Sequence, residues 1–176
     1  MFVDGISNNT NDLLQLNLTN DTATAGNFFN GGDTTTTTFP LGTGDGQTNA
    51  SGSDHIAYCW AEIPGYSKFS FYQGTGQAEG PFVYCGFKPA WVMIKSSSAS
   101  GTNWRIWDSS RGSTNPTNLD LLANTSHIEN AHGSDEIDLL SNGFKIRSTG
   151  SWHNSSGGTY VFMAFAESPF QTANAK

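Results

Sequence analysis

The sequence predicts an all-β protein, an antiparallel β-sandwich or jelly roll, and three observations carry that expectation. Apolar residues rarely recur at the three-and-four spacing of a helix, and Gly, Thr, Ser and Asn interrupt every window. Short runs of alternating apolar and polar residues are each bounded by turn-forming residues. One such run is written twice: "NASGSDHIAYCWAEIP" (Asn49 to Pro64) lies on "NSSGGTYVFMAFAESP" (Asn154 to Pro169) without a gap.

Taken in chain order, residues 30 to 53 resemble low-complexity linker. Thr is nevertheless a good strand former, and Phe39 and Leu41 alternate with small residues, which predicts a Thr-rich edge strand flanked by loops. Strands are then expected near His55 to Glu62, Lys68 to Tyr72, Phe82 to Tyr84, Ala90 to Lys95, Trp104 to Trp107, Ile137 to Leu140, Phe144 to Arg147 and Thr159 to Ala166. In "IDLLSNGFKIR", Asn142-Gly143 can take the positive φ angles of a tight two-residue turn, which predicts a hairpin. Strands at this spacing, without intervening helices, point away from a βαβ fold.

The repeat extends upstream. "LLQLNLTNDTA" from Leu13 matches "NLDLLANTSHI" from Asn118, so residues 1 to 64 parallel residues 108 to 169, while the stretch from Tyr66 to Trp107 has no upstream partner. The chain is expected to hold the back part of one sandwich module (1–65) followed by a complete one (66–176). Either Met1 is internal to a longer parent or the missing strands come from elsewhere, and the sequence leaves both open. In Ile56, Tyr58 and Trp60, and again in Val161, Met163 and Phe165, every second residue is bulky, while Ala57, Cys59, Ala61, Ala164 and Ala166 keep the other face small. Such a strand has both faces covered. Both copies are therefore expected to be central strands, with Tyr58, Trp60, Met163 and Phe165 in the core together with Trp91 and Trp104.

Charged residues make up 13% of the chain and the net charge is −7, with eight Lys and Arg in all, so the clustered cations that nucleic acid requires are missing. No apolar run reaches the length of a membrane span, which argues against membrane insertion, and "MFVDGISNNTNDLL" has neither the basic start nor the apolar centre of a signal peptide. Cys59 and Cys85 both sit in apolar runs and read as small buried thiols, with no CxxC to hold zinc. Sequons such as Asn17-Leu-Thr19 belong to a loop vocabulary rich in Asn, Ser and Thr.

The candidate chemistry is sparse. "GTGQAEG" (Gly74 to Gly80) has the glycines of a phosphate loop without the helix that would follow, and reads as a turn. His55, His127, His132 and His153 are expected to be solvated. Glu62 and Glu167 could be mistaken for a glycosidase pair, but they occupy equivalent places in two copies and so do not face one cleft. "GTGDGQTN" and "HGSDEID" offer clustered oxygens that could take calcium, although neither has the spacing of a known calcium loop; no metal ligand or cofactor is assigned. In "DSSRG", Asp108 is expected to accept bonds from the turn backbone while Arg111 reaches back to it.

In this order, "YCGFKPAWVMIK", "NWRIWDSSRG", "LLSNGFKIRS" and "NSSGGTYVFMAFAESPF" resemble the repeated β-sandwich modules, of concanavalin-like or jelly-roll type, of marine bacteriophage tail-fibre and other virion proteins. The resemblance covers Tyr66 to Phe170 closely and residues 1 to 64 as part of a preceding module. It implies a non-enzymatic virion structural protein at the particle surface, a tail-fibre or appendage module for host attachment or subunit assembly, and it carries over no catalytic residue. The alternatives are a capsid decoration (cement) protein and a polysaccharide-binding or polysaccharide-degrading domain. Uncovered sheet edges in a partial module predict a homo-oligomer, with a trimer first, alongside other virion proteins and a host-surface glycan as partners. If Trp104 and Ile106 point inward, alternation puts Arg105 and Trp107 outward, to anchor a subunit or stack on a sugar with help from Asp108, Trp152 and Asn154.

Overall fold

In the computed structural model, residues 12–24, 35, 37–42, 46, 48–112, 114–131 and 136–169 are described. The strands are β1 (Asp12–Leu13), β2 (Ala23–Thr24), β3 (Ser67–Gln73), β4 (Phe82–Tyr84), β5 (Pro89–Ser96), β6 (Arg105–Asp108) and β7 (Leu119–Leu122). They continue as β8 (Asn130–Ala131), β9 (Ile137–Leu140), β10 (Gly143–Ile146) and β11 (Thr159–Ala166), with one four-residue helix, α1 (Ser151–Asn154), before the last. A six-stranded sheet in the order β3-β11-β5-β6-β7-β8 faces a three-stranded sheet, β4-β10-β9, and the strands of both pair antiparallel throughout. This is a two-layer all-β sandwich.

The core between the sheets takes Tyr72, Val92, Ile94, Trp107, Tyr160, Phe162 and Ala164 from the large sheet and Val83, Ile137, Leu139, Phe144 and Ile146 from the small one, with Cys85 just beyond β4. Aromatic rings interlock across it: Phe144 stands edge-on to both Phe162 and Tyr72. A second apolar cluster lies on the other face of the large sheet. There Leu14, Met93, Trp104, Val161 and Met163 are buried, and Phe69, Trp91, Ile106 and Phe165 are half-buried against them. What covers that outer face is the segment from Leu14 to Thr22. It is tied down by the Trp104 indole donating to the Gln15 carbonyl at 3.0 Å, by Gly101 N donating to Thr19 O at 2.9 Å and by Thr22 N donating to Ser97 O at 3.0 Å. Residues 14–22 thus serve as a strap over the sandwich.

One edge of the small sheet is closed from within. Asn115 mimics a strand residue beside β9, its side-chain amide donating to Leu139 O and its carbonyl oxygen accepting from Leu139 N, both at 2.9 Å, and Thr117 and Ile137 form a bridge next to it. The β9–β10 hairpin pairs Leu140 with Gly143, so its two turn residues are Ser141 and Asn142, one position earlier than the glycine suggested. Gly143 serves a different need: a Cβ there would stand 2.1 Å from the Val83 carbonyl oxygen of β4, a contact only a bare backbone permits.

The expected central strand at His55 to Glu62 is not a strand. Ile56, Tyr58 and Trp60 are 82%, 76% and 59% exposed, so Tyr58 and Trp60 are not core residues, and the Cys59 thiol is exposed as well. The physical reason lies in the other copy, where β11 is paired along its whole length by β3 on one side and β5 on the other. Both strands occur once among the described residues, and β11 already occupies them. Of the expected Thr-rich edge strand, the described residues from Thr37 to Gly42 lie in no strand, and much of the rest of that run lies outside the described residues. Of the other expected core residues, Trp104 and Met163 are buried and Trp91 and Phe165 are half-buried. Trp104→Ala is expected to cost about 3–5 kcal/mol, because it removes a buried indole and loosens the strap, read as a lower midpoint in chemical denaturation.

Candidate functional site

Strand β6 follows the predicted alternation, but both of its faces are covered. Trp104 and Ile106 belong to the outer cluster, and Trp107, fully buried, belongs to the core between the sheets. Arg105 and Trp107 therefore point into the sandwich and not to a partner, which corrects the expected contact surface. The Arg105 guanidinium, 3% exposed, donates to Asp120 Oδ2 on β7 at 2.8 Å, and that carboxylate is wholly buried. Trp152 of α1 lies under the guanidinium, with its ring centroid 5.3 Å away, and the His153 ring meets Trp107 edge-on at 5.5 Å. The result is an internal stitch that joins β6, β7 and α1.

His153 is buried, not solvated as its loop setting suggested. Desolvation, reinforced by the Arg105 charge, lowers its pKa to about 3, so the ring is neutral at physiological pH. Asn154 is a structural hub. Its amide nitrogen donates to Gln77 O at 2.8 Å and Ser148 O at 2.6 Å, its side-chain oxygen accepts from Thr75 N at 2.8 Å, and its backbone carbonyl accepts from Gly76 N. Those bonds explain "GTGQAEG". A Cβ on Gly74 would come within 2.3 Å of Ser155 O and one on Gly80 within 2.8 Å of Ile146 O, so the glycines let the loop lie against the end of α1 and against β10. Asp108 accepts from Ser110 N and Arg111 N and pairs with the Arg111 guanidinium at 2.6 Å, a local tie as its spacing suggested. Arg111 also pairs with Glu129.

Several other titratable groups among the described residues are spent on the fold. Lys95 is fully buried beneath the strap, donating to Ser96 O, Thr102 Oγ1 and Thr19 O at 2.9, 2.8 and 3.4 Å, and burial lowers its pKa to about 8. Burial likewise pushes the Cys85 thiol up to about 12. The repeat-related Glu62 and Glu167 each pair with a lysine, Lys68 at 2.7 Å and Lys88 at 2.8 Å, as surface ties. Among the described residues no three or more His, Cys, Asp or Glu side chains gather as a metal site. His132 and parts of both oxygen-rich loops lie outside the described residues.

Besides the exposed segment at 55–62, the outer face of the small sheet presents aromatic side chains that the fold does not bury. Phe82 and Tyr84 alternate with buried Val83 and are 46% and 64% exposed. Cross-strand register sets them beside bare Gly143 and beside Lys145, with Leu140 and Asp138 one strand further on. The charges at its rim are held in place: Glu79 bonds both Lys145 and Arg147 at 2.6 Å, and Arg147 also approaches Asp138 at 3.6 Å. The result is an aromatic patch beside a bare glycine, bordered by surface ion pairs. Sequence reasoning missed it, although the "FVY" alternation was the available signal.

The fold is an antiparallel β-sandwich in which the buried polar groups described above tie its elements together and one sheet face carries exposed aromatic side chains. The chain belongs to a family described as a domain of unknown function, DUF7483, whose model matches residues 1–169. No curated protein and no solved structure matches it.

Because folded His153 resists protonation while its unfolded counterpart titrates near 6.5, its contribution to stability is present above pH 6.5 and is lost as the pH falls toward 3. Denaturation midpoints measured between pH 7 and 4 should fall, and His153→Gln should flatten that part of the profile. Asp120→Ala, which leaves Arg105 buried without its carboxylate, should cost about 3–5 kcal/mol.

Proposed function

We propose that the protein is a non-enzymatic structural module of a bacteriophage virion, part of a tail fibre or related appendage, working by subunit assembly at the particle surface. The observation that carries this reading is the aromatic face of the small sheet. Two large rings at adjacent outward positions of one strand, beside a bare glycine and bordered by surface ion pairs, have the make-up of a protein contact: an apolar centre with a polar border. The resemblance of the strand motifs to virion modules supports the setting. The inward placement of Arg105, Asp120, His153 and Asn154 favours a structural role, since the residues best suited to chemistry hold strands together.

The assembly is a closed homo-oligomer, with a trimer as the first expectation. Capsid decoration is the second reading within the same class. Because an aromatic platform beside polar groups also suits a sugar ring, host-surface glycan is the second kind of partner. The combined substitution Phe82→Ser and Tyr84→Ser leaves the sandwich core untouched and should convert the oligomer to protomers in sedimentation at micromolar concentration, with near-ultraviolet circular dichroism unchanged. An oligomer that survives the change while binding to host polysaccharide is lost favours the glycan reading, and release of reducing ends from that polysaccharide overturns the non-enzymatic one. Electron microscopy of labelled particles separates tail from capsid.

A further inference from the structure

The exposed segment at 55–62 ends in a hairpin that has already begun to form. Ile63 and Ser67 exchange both backbone hydrogen bonds, Ile63 N to Ser67 O at 3.3 Å and Ser67 N to Ile63 O at 3.0 Å, around Pro64, Gly65 and Tyr66, with Gly65 at φ 76°. Glu62 and Lys68, the next pair along, form a salt bridge at 2.7 Å, and the Ser67 hydroxyl donates to Ala61 O at 2.8 Å. Beyond this point the two arms part.

The arm that continues is β3, an edge of the large sheet. Tyr66 O accepts from Ala166 N and Gly74 N donates to Gly158 O, so the even-numbered peptide groups of β3 turn toward β11. Its odd-numbered groups turn outward. Ser67 meets Ile63 there, and Phe69 N meets only the Glu62 carboxylate, at 3.4 Å. Phe71 and Gln73 are the remaining outward positions of the open edge, and Phe71 is 44% exposed.

The geometry points to residues 55–62 closing onto β3 as a seventh, antiparallel strand of the large sheet, in the register that the Ile63–Ser67 pair dictates: Ala61 opposite Phe69, Cys59 opposite Phe71 and Ala57 opposite Gln73. Side-chain size supports this register independently. On the outer face small Ala61 and Cys59 meet Phe69 and Phe71. On the inner face Trp60 meets Ser70, and Tyr58 meets Tyr72, already part of the core. The alternation of the segment, a copy of β11, is that of a strand with both faces covered. Closure brings residues 55–60 alongside β3 and passes Phe69 N from the Glu62 side chain to the Ala61 carbonyl, which the Ser67 hydroxyl holds in place nearby. It satisfies the edge, removes three large apolar side chains from water and makes the last strand of the first copy the first strand of the second, so that successive copies share one sheet. The proposal does not depend on the functional reading above.

Cys59 supplies the probe, since it is exposed whereas Cys85 is buried. In the full chain, Phe71→Cys under mild oxidation should form a disulfide with Cys59 within one molecule, seen as a faster band on a non-reducing gel and mapped by peptide mass. Ser70→Cys, one position out of register, should not. Hydrogen exchange on the unmodified chain gives a second reading: the Phe71 and Gln73 amides should exchange at least about tenfold more slowly than those of an unpaired segment. No crosslink in Phe71→Cys, a crosslink only between molecules, equal crosslinking at position 70, or fast exchange at both amides each overturns the proposal.

Discussion

Everything in this fold hangs on β11 having a strand on both sides. Its pairing with β3 runs from Thr159 to Phe165 and its pairing with β5 from Tyr160 to Ala166, and its side chains fill two cores at once, Phe162 and Ala164 between the sheets, Val161 and Met163 on the outer face. A strand in that position has no face for water, and each backbone group finds a partner only if both neighbours are in register. The sheet order follows, because β6 and β7 extend from β5, and α1 is fixed immediately before β11 begins.

Two covered faces require more polar stitching than a sheet with one wet side. Arg105 and Asp120 are buried together, Lys95 is buried beneath the strap and bonded to its Thr19 carbonyl, and His153 sits neutral against Trp107. Removing a single partner from such a set leaves a desolvated charge, whereas the set as a whole joins elements that apolar packing alone would let slide. Glycines do complementary work where backbones nearly touch, at Gly74 against the end of α1, at Gly80 against β10 and at Gly143 against β4. Interior chemistry and close approach therefore serve the same end, which is to hold the two layers of the sandwich together.

Residue order alone was enough for the class and most of the strands. Phe82–Tyr84, Ile137–Leu140 and Thr159–Ala166 end where the alternation ends, and β3, β5, β6 and β10 lie within a residue or so of their expected bounds, because period-two patterning and turn residues are local properties. Facing was not local. Alternation divides Trp104 and Ile106 from Arg105 and Trp107 but does not say which side meets water, and here neither does, since the strap from Leu14 covers one and the small sheet the other. His153 and Asn154 read as loop residues because the element that buries them, four residues of helix, is too short to leave a period. The same limit explains 55–62: its pattern is that of β11, but a strand exists only when neighbours supply its hydrogen bonds, and among the described residues β11 has already taken β3 and β5 on the sides that would hold a second copy in its place. Pattern is written in one strand, and partnership is decided by the sheet.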